Sequence, residues 1–377
     1  MDTPGKQTPA RRFALVLGGG ALRGLAHVGA LRALEERDWV PTEVIGTSIG
    51  ALIAAAWASG LSAGELESIA RSLVRTDIFR VAHADMALRR LRARSIYQAE
   101  PLDELIRGLL GDASFRDLPR RLIVASVEIN SGQQAYWGLP GLDDVRVADA
   151  VYASCALPGF FPPRELRGGW WVDGGLSDNL PARLAAARGH EVVLAVDVGA
   201  RDVVRSDVQE AGFAAVFARA SEVLSRHANE ALLASWTGPP LLLVRPRVEE
   251  VPMLSFRHTG ELIDAGHTAT REALDVVGEE MGTATGGIFP RRLIEVRVRR
   301  ERCVGCGACV SLAPPGMFHM DAAGKAVARE EPLEWSPLDG GFVRQCPTFA
   351  ITARALPRAQ AGASTGGGSR GTAPASA

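Results

Sequence analysis

Lysine is nearly absent from this 377-residue chain, which contains only Lys6 and Lys325. No glycine-rich turn therefore ends in the Gly-Lys-Ser/Thr of a P-loop, and no lysine is well placed to form a Schiff base. An excess of charge of one sign is missing too, since 42 Lys and Arg face 43 Asp and Glu. Nucleic-acid-binding proteins usually carry a basic excess, so we expect no nucleic-acid partner.

Long apolar runs and abundant cysteine are also lacking. The run 13–17 is too short for the apolar region of a signal peptide, and the run 49–58 is too short to cross a bilayer. Five cysteines in a chain of this length do not form a disulfide framework. We therefore expect a cytoplasmic protein whose thiols stay reduced.

Apolar runs typical of buried strands alternate with apolar residues at helical spacing. This alternation predicts an α/β fold, in which helices cover a mostly parallel sheet. The predicted strands are 13–17, 44–45, 122–127, 192–198 and 241–244, and the predicted helices are 25–34, 49–58, 61–94, 211–234 and 262–277.

Composition predicts the domain organisation. Polar residues 1–11 should form a flexible N-terminus, and the α/β domain should span 12–285. A linker rich in glycine and threonine at 282–287 precedes a second domain over 286–356. Residues 357–377 contain almost no apolar bulk, so they should form a disordered tail.

A glycine-rich turn follows the first predicted strand, with the sequence Gly18-Gly19-Gly20-Ala21-Leu22-Arg23-Gly24. Such a turn can direct several N–H groups at one anion, and the next helix adds its N-terminal dipole. The spacing differs from the G-x-G-x-x-G of dinucleotide-binding turns. We favour an oxyanion site; a dinucleotide site and a plain turn are the alternatives.

Two further motifs carry reactive side chains. Gly46-Thr47-Ser48-Ile49-Gly50 lies between a strand and a helix, which is typical of a nucleophile elbow. The alternative is that Ser48 caps the helix. Asp173-Gly174-Gly175 follows the strand candidate 170–172, and by itself it would be read as a turn.

Together these three motifs resemble those of patatin-like phospholipases, as do the segments 153–163 and 176–181. The resemblance covers roughly residues 12–280 and implies a three-layer α/β/α fold. It implies a dyad of Ser48 and Asp173 that cleaves acyl esters of lipids through an acyl-enzyme, in the manner of a phospholipase A or lysophospholipase. The implied oxyanion-hole loop contains Gly18, Gly19, Gly20, Arg23 and Gly24.

The serine needs a base, so we expect Asp173 within hydrogen-bond reach of Ser48. Partial burial would raise the pKa of the aspartate and make it a better proton acceptor. A Ser–Asp–His triad is the alternative. We regard it as weaker because His190 precedes a predicted strand and His227 lies on a predicted amphipathic helix, positions that are typical of surface or hydrogen-bonded histidines. The histidines that follow Asp173 in the chain, as a triad of this order requires, are His190, His227, His258 and His267. We expect His27, beside the glycine-rich turn, to serve helix packing.

Residues 78–95 combine arginines with apolar side chains. A basic amphipathic helix can lie on an anionic membrane, so peripheral contact at the inner membrane surface is one hypothesis. An ordinary solvated helix face is the alternative, which we favour. The arginines concerned are Arg80, Arg89, Arg90, Arg92 and Arg94.

Four of the five cysteines lie in the last quarter of the chain. Cys303, Cys306 and Cys309 form a C-x₂-C-x₂-C motif, and Cys346 precedes a proline. Over roughly residues 291–354 this pattern resembles a ferredoxin. Ala313 stands where a two-cluster ferredoxin has a fourth cysteine before proline.

The ferredoxin resemblance implies a small α+β domain in which Cys303, Cys306, Cys309 and Cys346 ligate one [4Fe-4S] cluster. Zinc is the alternative metal, although zinc sites more often use paired C-x₂-C motifs. We interpret Cys155 as a small buried residue.

The role of such a cluster stays open between electron transfer to a redox partner protein, redox sensing, and stapling of a small domain. Ester hydrolysis itself consumes no electrons. The alternative to an enzyme is therefore a redox-sensing or electron-transfer protein whose patatin-like domain mainly binds a lipid or a protein partner.

Overall fold

The computed structural model describes residues 12–82, 95–199, 208–281 and 283–356. The chain divides into an N-terminal unit, Met1–Phe289, and a C-terminal unit, Pro290–Ala377. The predicted flexible ends, and the arginines at 89, 90, 92 and 94, lie outside the described residues.

The N-terminal unit is built on one large sheet whose strands run in the order β5-β6-β3-β2-β1-β7-β8-β9, with β4 also paired to β3. Strands β1, β2, β3, β7, β8 and β9 are parallel, while β4, β5 and β6 join antiparallel. The predicted mostly parallel α/β architecture is thus confirmed. The strands are β1 Phe13–Leu17, β2 Glu43–Thr47, β3 Leu122–Glu128, β4 Gln134–Trp137, β5 Arg164–Leu166, β6 Gly169–Asp173, β7 Val192–Val196, β8 Leu241–Val244 and β9 Ile288–Phe289.

Helices pack against the strands of this sheet. The described helices are α1 Ala26–Glu35, α2 Ile49–Ala58, α3 Ala63–Ser72, α4 Glu100–Leu110, α5 Val147–Cys155, α6 Ala182–Ala187, α7 Phe213–Ala234 and α8 Thr259–Glu280. Helix α2 is apolar throughout and almost entirely buried, as expected for a helix covered on all sides. Among the described residues, no helix is both long enough and apolar enough to cross a bilayer.

The structure describes residues 61–82 of the segment predicted as a helix over 61–94, and within these residues the α-helix is shorter than expected. Helix α3 begins with a capping box between Ser62 and Glu65 and ends at Ser72. The Ser72 hydroxyl donates to the Ile69 carbonyl, a local bond that competes with helix propagation, and Leu73 is extended. A short 3₁₀ turn, Arg75–Asp77, follows.

The register along β3 determines where the candidate site forms. Strand β2 ends with Thr47 paired to Ala125, and β6 ends with Asp173 paired to Ser126. The next residue after β2 is Ser48, so Ser48 and Asp173 emerge side by side along β3, although 125 positions separate them in sequence.

The C-terminal unit is small and rich in strands. A three-stranded antiparallel sheet has the order β13-β10-β14, and β11 and β12 form a hairpin. Its compact core centres on Phe342, whose ring lies 5.5 Å from Phe318 and 5.6 Å from Trp335. Its elements are β10 Arg292–Val298, α9 Ala308–Leu312, β11 Phe318–Met320, β12 Ala326–Ala328, β13 Leu333–Trp335, α10 Gly341–Arg344 and β14 Ile351–Ala355.

Candidate active site and cysteine cluster

Ser48 lies in a strained turn between β2 and α2. Its φ of 56° is in the left-handed region, which non-glycine residues rarely adopt. The flanking glycines permit the turn, because a Cβ on Gly46 would lie 2.5 Å from the Cα of Ala51, and one on Gly50 would lie 2.2 Å from the Leu17 carbonyl oxygen. The Ser48 hydroxyl makes no capping bond to α2, so it is available for another partner.

That partner is the carboxylate of Asp173. Ser48 Oγ donates to Asp173 Oδ2 at 2.6 Å, and the Gly175 N–H donates to Oδ1 at 2.8 Å. Burial raises the pKa of Asp173 from 3.8 to about 6, although these two hydrogen bonds act in the opposite direction. At neutral pH the carboxylate is ionised, yet it is a stronger base than an exposed aspartate.

Some backbone N–H groups of the glycine-rich turn already donate hydrogen bonds within the protein, and others do not. Gly18 donates to the Val196 carbonyl at 3.1 Å, and Gly19 donates to the Asn179 carbonyl at 3.2 Å. Within the described part of the chain, the N–H groups of Gly20 and Ala21 have no such acceptor. Both residues line the cavity that contains Ser48, so these two N–H groups are the available donors.

His27 and Arg23 hold this turn in place. Burial lowers the pKa of His27 to about 4, so its ring is neutral and Nε2–H donates to the Gly18 carbonyl at 2.7 Å. The fully buried Arg23 guanidinium pairs with Glu222 of α7 at 2.7 Å and donates to the Val251 carbonyl at 2.8 Å. Gly24 allows the turn to approach α2, since a Cβ there would lie 2.1 Å from Ile49 Cγ2.

The turn, Ser48 and Asp173 share one cavity of about 1070 Å³. Its apolar lining is large enough for a hydrocarbon chain. Cys155 also lines it, and burial together with the nearby Asp173 raises the pKa of the thiol well above its usual value. The apolar lining includes Leu22, Ile49, Leu52, Ile78, Phe79, Leu102, Leu157, Phe160 and Phe161.

The histidines considered for a triad contact other groups. His190 Nε2 lies 3.2 Å from Glu43, and His267 Nε2 lies 2.8 Å from Glu36. His258 Nδ1 is 2.8 Å from the Ser255 hydroxyl, and His227 is 3.5 Å from Arg226. Ser48 Oγ is hydrogen-bonded directly to Asp173, whereas the partners given above for the four histidines are other residues.

Sequence reasoning did not single out two residues of this site. The Ser154 hydroxyl on α5 accepts the Ser48 N–H at 2.8 Å, and Asn179 donates to the Gly19 carbonyl at 3.0 Å. Both lie within the segments whose sequence resembles patatin-like proteins. No spacing rule marks them, because strand register and a long loop bring them to the site.

In the C-terminal unit, Cys303, Cys306, Cys309 and Cys346 are unpaired thiols that line one small cavity. Backbone N–H groups point at two of the sulfurs, Ala326 to Cys303 at 3.5 Å and Ala350 to Cys346 at 3.3 Å.

The backbone between these cysteines bends tightly. Gly305 and Gly307 have φ of 73° and 72°, which lets the loop wrap a compact group. Among the described residues, no three His, Cys, Asp or Glu side chains converge closely enough for a single metal ion. Four cysteine thiols around one small cavity are a donor set that an iron–sulfur cluster or a zinc ion can use.

Comparison with known proteins identifies the type of each of the two domains. Residues 15–186 match the family model of patatin-like phospholipases. The chain contains a patatin-like phospholipase domain. Residues 296–340 match the model of the 4Fe-4S single cluster domain, so the chain also contains a domain of this type. Cys346 lies beyond the matched residues, and its inclusion rests on the shared cavity.

Individual relatives match the patatin-like domain over about half of this chain. An uncharacterised NTE family protein of Mycobacterium tuberculosis is 30% identical over 187 residues, covering 50% of this chain and 49% of that protein. Patatin-like phospholipase domain-containing protein 6 of Mus musculus is 32% identical over 193 residues, covering 50% of this chain and 14% of that protein. The chain thus spans about half the length of the mycobacterial relative and much less of the mouse protein.

Among solved structures, VipD from Legionella pneumophila matches with a TM-score of 0.41 and 15% identity. The match covers 71% of this chain and 67% of that chain.

Proposed function

We propose that the patatin-like domain is a serine hydrolase that cleaves acyl esters of lipids through the dyad of Ser48 and Asp173. The observation that carries this proposal is the 2.6 Å hydrogen bond from Ser48 Oγ to a buried carboxylate with a raised pKa. A nucleophile, a base and unpaired N–H donors lie in one apolar cavity, and these are the groups that acyl transfer requires.

The proposed reaction proceeds in two steps. Ser48 Oγ attacks the ester carbonyl carbon while its proton passes to Asp173, and the alcohol leaves with that proton as the acyl-Ser48 forms. Water then attacks the acyl group while its proton passes to Asp173. Asp173 returns this proton to Ser48 Oγ as that oxygen leaves, which releases the fatty acid and restores the free serine. In both steps negative charge develops on the carbonyl oxygen, which the N–H groups of Gly20 and Ala21 stabilise.

The cavity supports an acyl lipid as the substrate. Its apolar lining begins one residue after the nucleophile, at Ile49, and continues one helical turn later at Leu52. A hydrocarbon chain bound along this wall would place its ester beside Ser48. This arrangement suits a phospholipase A or a lysophospholipase.

Active-site labelling tests this proposal. Wild-type protein should react with a fluorophosphonate probe and hydrolyse p-nitrophenyl acyl esters, while Ser48→Ala should do neither. Ser177→Ala is a matched control, since its exposed hydroxyl contacts Gln134 outside the cavity. A wild type that is neither labelled nor active on soluble or vesicular acyl esters would overturn the hydrolase proposal and favour the alternative that the domain mainly binds a lipid or a protein partner.

We further propose that Cys303, Cys306, Cys309 and Cys346 ligate one [4Fe-4S] cluster. Hydrogen bonds from Thr348 and the Ala350 N–H lower the pKa of the Cys346 thiol against the effect of partial burial, which favours the thiolate that iron requires. When bound, the cluster supplies a one-electron redox couple, which suits electron exchange with a partner protein or redox regulation. Iron and sulfide analysis with EPR of anaerobically purified protein tests the assignment, and a colourless zinc protein would overturn it.

A further inference from the structure

Asn179 forms hydrogen bonds with both backbone polar groups of Gly19, the N–H and the carbonyl. The Asn179 carbonyl accepts the Gly19 N–H at 3.2 Å, and Asn179 Nδ2 donates to the Gly19 carbonyl at 3.0 Å. Asn179 lines the same cavity as Ser48 and lies in the segment between β6 and α6. Asn179, six residues after the base, is therefore hydrogen-bonded to the loop that carries the oxyanion donors.

The second of these bonds sets the direction of the Gly20 N–H. The Gly19 carbonyl and the Gly20 N–H belong to one planar trans peptide, in which the two bonds point in opposite directions. Anchoring the carbonyl on Asn179 turns the Gly20 N–H away from Asn179 and limits rotation of the peptide. A carbonyl that accepts a hydrogen bond also polarises its own peptide, which makes the N–H a stronger donor.

The side-chain oxygen of Asn179 lies tightly between two turns of the site. A Cβ on Gly19 would lie 2.4 Å from Asn179 Oδ1, and a Cβ on Gly175 would lie 2.7 Å from the same atom. The Gly175 N–H donates to Asp173, the base. The amide oxygen thus lies between the oxyanion loop and the turn that carries the base.

We propose that Asn179 is a positioning residue that aims the Gly20 N–H at the oxygen of the reacting carbonyl. This inference rests on the proposed hydrolase function and adds to it a specific contributor to transition-state stabilisation. The residue acts through the Gly19–Gly20 peptide and needs no contact with the substrate itself.

The test uses Asn179→Asp and Asn179→Ala in the full chain. Asn179→Asp keeps the shape but replaces the N–H donor with a carboxylate oxygen that repels the Gly19 carbonyl. Fluorophosphonate titration counts the competent sites, so kcat is expressed per active site. Asn130→Asp is the matched control, because Asn130 lies in an exposed turn where its amide contacts Glu128.

We expect kcat to fall about ten- to hundredfold in both Asn179 variants while KM changes less than about twofold, because the lost stabilisation acts on the oxyanion. Inhibition by a trifluoromethyl ketone, which forms an oxyanion on Ser48, should weaken by a similar factor. The pH midpoint of the Asn179→Ala variant should stay that of the wild type, since Asp173 is unchanged.

Two results would overturn the inference while leaving the hydrolase intact. One is an unchanged kcat per active site with unchanged ketone inhibition, and the other is a raised KM at constant kcat, which would make Asn179 a substrate contact. A wild type that is neither labelled nor active would instead remove the proposed hydrolase and this inference together.

Discussion

The serine site and the cysteine site are built in opposite ways. Ser48 and Asp173 are 125 positions apart, and the register of a buried sheet joins them before any ligand arrives. The cysteines include three within seven residues, Cys306 is exposed, and the core of their unit is small. The first site is a product of its fold, whereas the second unit would gain much of its stability from the group that it binds.

Removing a cluster ligand should have the largest effect and tests this contrast directly. Cys346→Ala should lower bound iron from about four atoms per chain to nearly none and destabilise the C-terminal unit, because ligand binding and folding are coupled there. Hydrolysis of a soluble acyl ester should change less than about twofold. Iron analysis, thermal unfolding and ester assays check these expectations.

Cys155→Ala is the control for iron content, since Cys155 lies in the N-terminal unit beside Asp173. Full iron retention in Cys346→Ala would contradict the ligand assignment. A parallel loss of ester hydrolysis would show that the two sites are coupled, as a redox-regulatory role requires.

The contrast also explains what the sequence could predict. The glycines at 46 and 50 indicate the strained serine turn, because a side chain at either position would clash with the backbone. The alternation of apolar runs with helical segments predicts the parallel sheet. The spacing of the first three cysteines likewise predicts their proximity, because it places three thiols within one short loop. Such features depend on neighbours in the chain, so they are visible without a structure.

Features that depend on distant contacts could not be predicted. The Ser154 hydroxyl and the Asn179 amide look like ordinary polar side chains in sequence, and only the packing of α5 and of the loop after β6 gives them their partners. Arg23 shows the same limit. Its place in the glycine motif associates it with the oxyanion, yet its guanidinium bonds to Glu222 and to backbone carbonyls.

The pH dependence of hydrolysis should separate a dyad from a triad. Burial raises the pKa of Asp173 to about 6, and the reaction needs the carboxylate. Because the acid form is inactive, kcat/KM should fall about tenfold per pH unit below that midpoint and level off above it. A series from pH 4.5 to 8 measures the profile.

Replacement of the remote histidines sharpens this test. His267→Asn and His258→Ala should keep both the rate and the midpoint, since these rings contact Glu36 and Ser255. A profile that loses its midpoint in either variant would identify a histidine base and refute the dyad.

Loss of the Ser154 hydroxyl should have a smaller effect on catalysis. Ser154→Ala removes the acceptor of the Ser48 N–H in a buried setting, which costs about 1–3 kcal/mol. The strained turn should then relax, and kcat should fall about tenfold with little change in KM. Ser59→Ala is the control, because its hydroxyl bonds to the Ala55 carbonyl at the far end of α2. Equal labelling rates for Ser154→Ala and wild type would show that the strained turn holds without this bond.

The smallest expected effect is that of Asp173→Asn on the free energy of unfolding. Loss of this site residue should stabilise the N-terminal unit, whereas loss of Cys346 should destabilise the C-terminal unit. The folded pKa of Asp173, about 6, lies above the ordinary value of 3.8, so the folded state binds this proton more tightly than the unfolded state. Ionisation of Asp173 therefore destabilises the fold progressively between pH 4 and 6, and the cost persists above pH 6. Asp173→Asn abolishes that cost while it abolishes hydrolysis, and should stabilise the N-terminal unit by about 1–3 kcal/mol at pH 8.

As the pH falls to 4, most of the gain from Asp173→Asn should disappear, because the folded wild-type carboxyl is then neutral and the unfolded one is about half protonated. Urea unfolding at pH 4 and pH 8 measures the difference. The control is Asp143→Asn, because Asp143 is a partly buried aspartate whose pKa is lowered by its hydrogen bonds to Arg116, so its loss should destabilise instead. A gain of equal size at both pH values would mean that packing, and not charge burial, is responsible. The expected result would show that the serine site is less stable because it keeps a basic carboxylate buried. Together with the loss of stability expected for Cys346→Ala, it would show that the two sites affect stability in opposite directions.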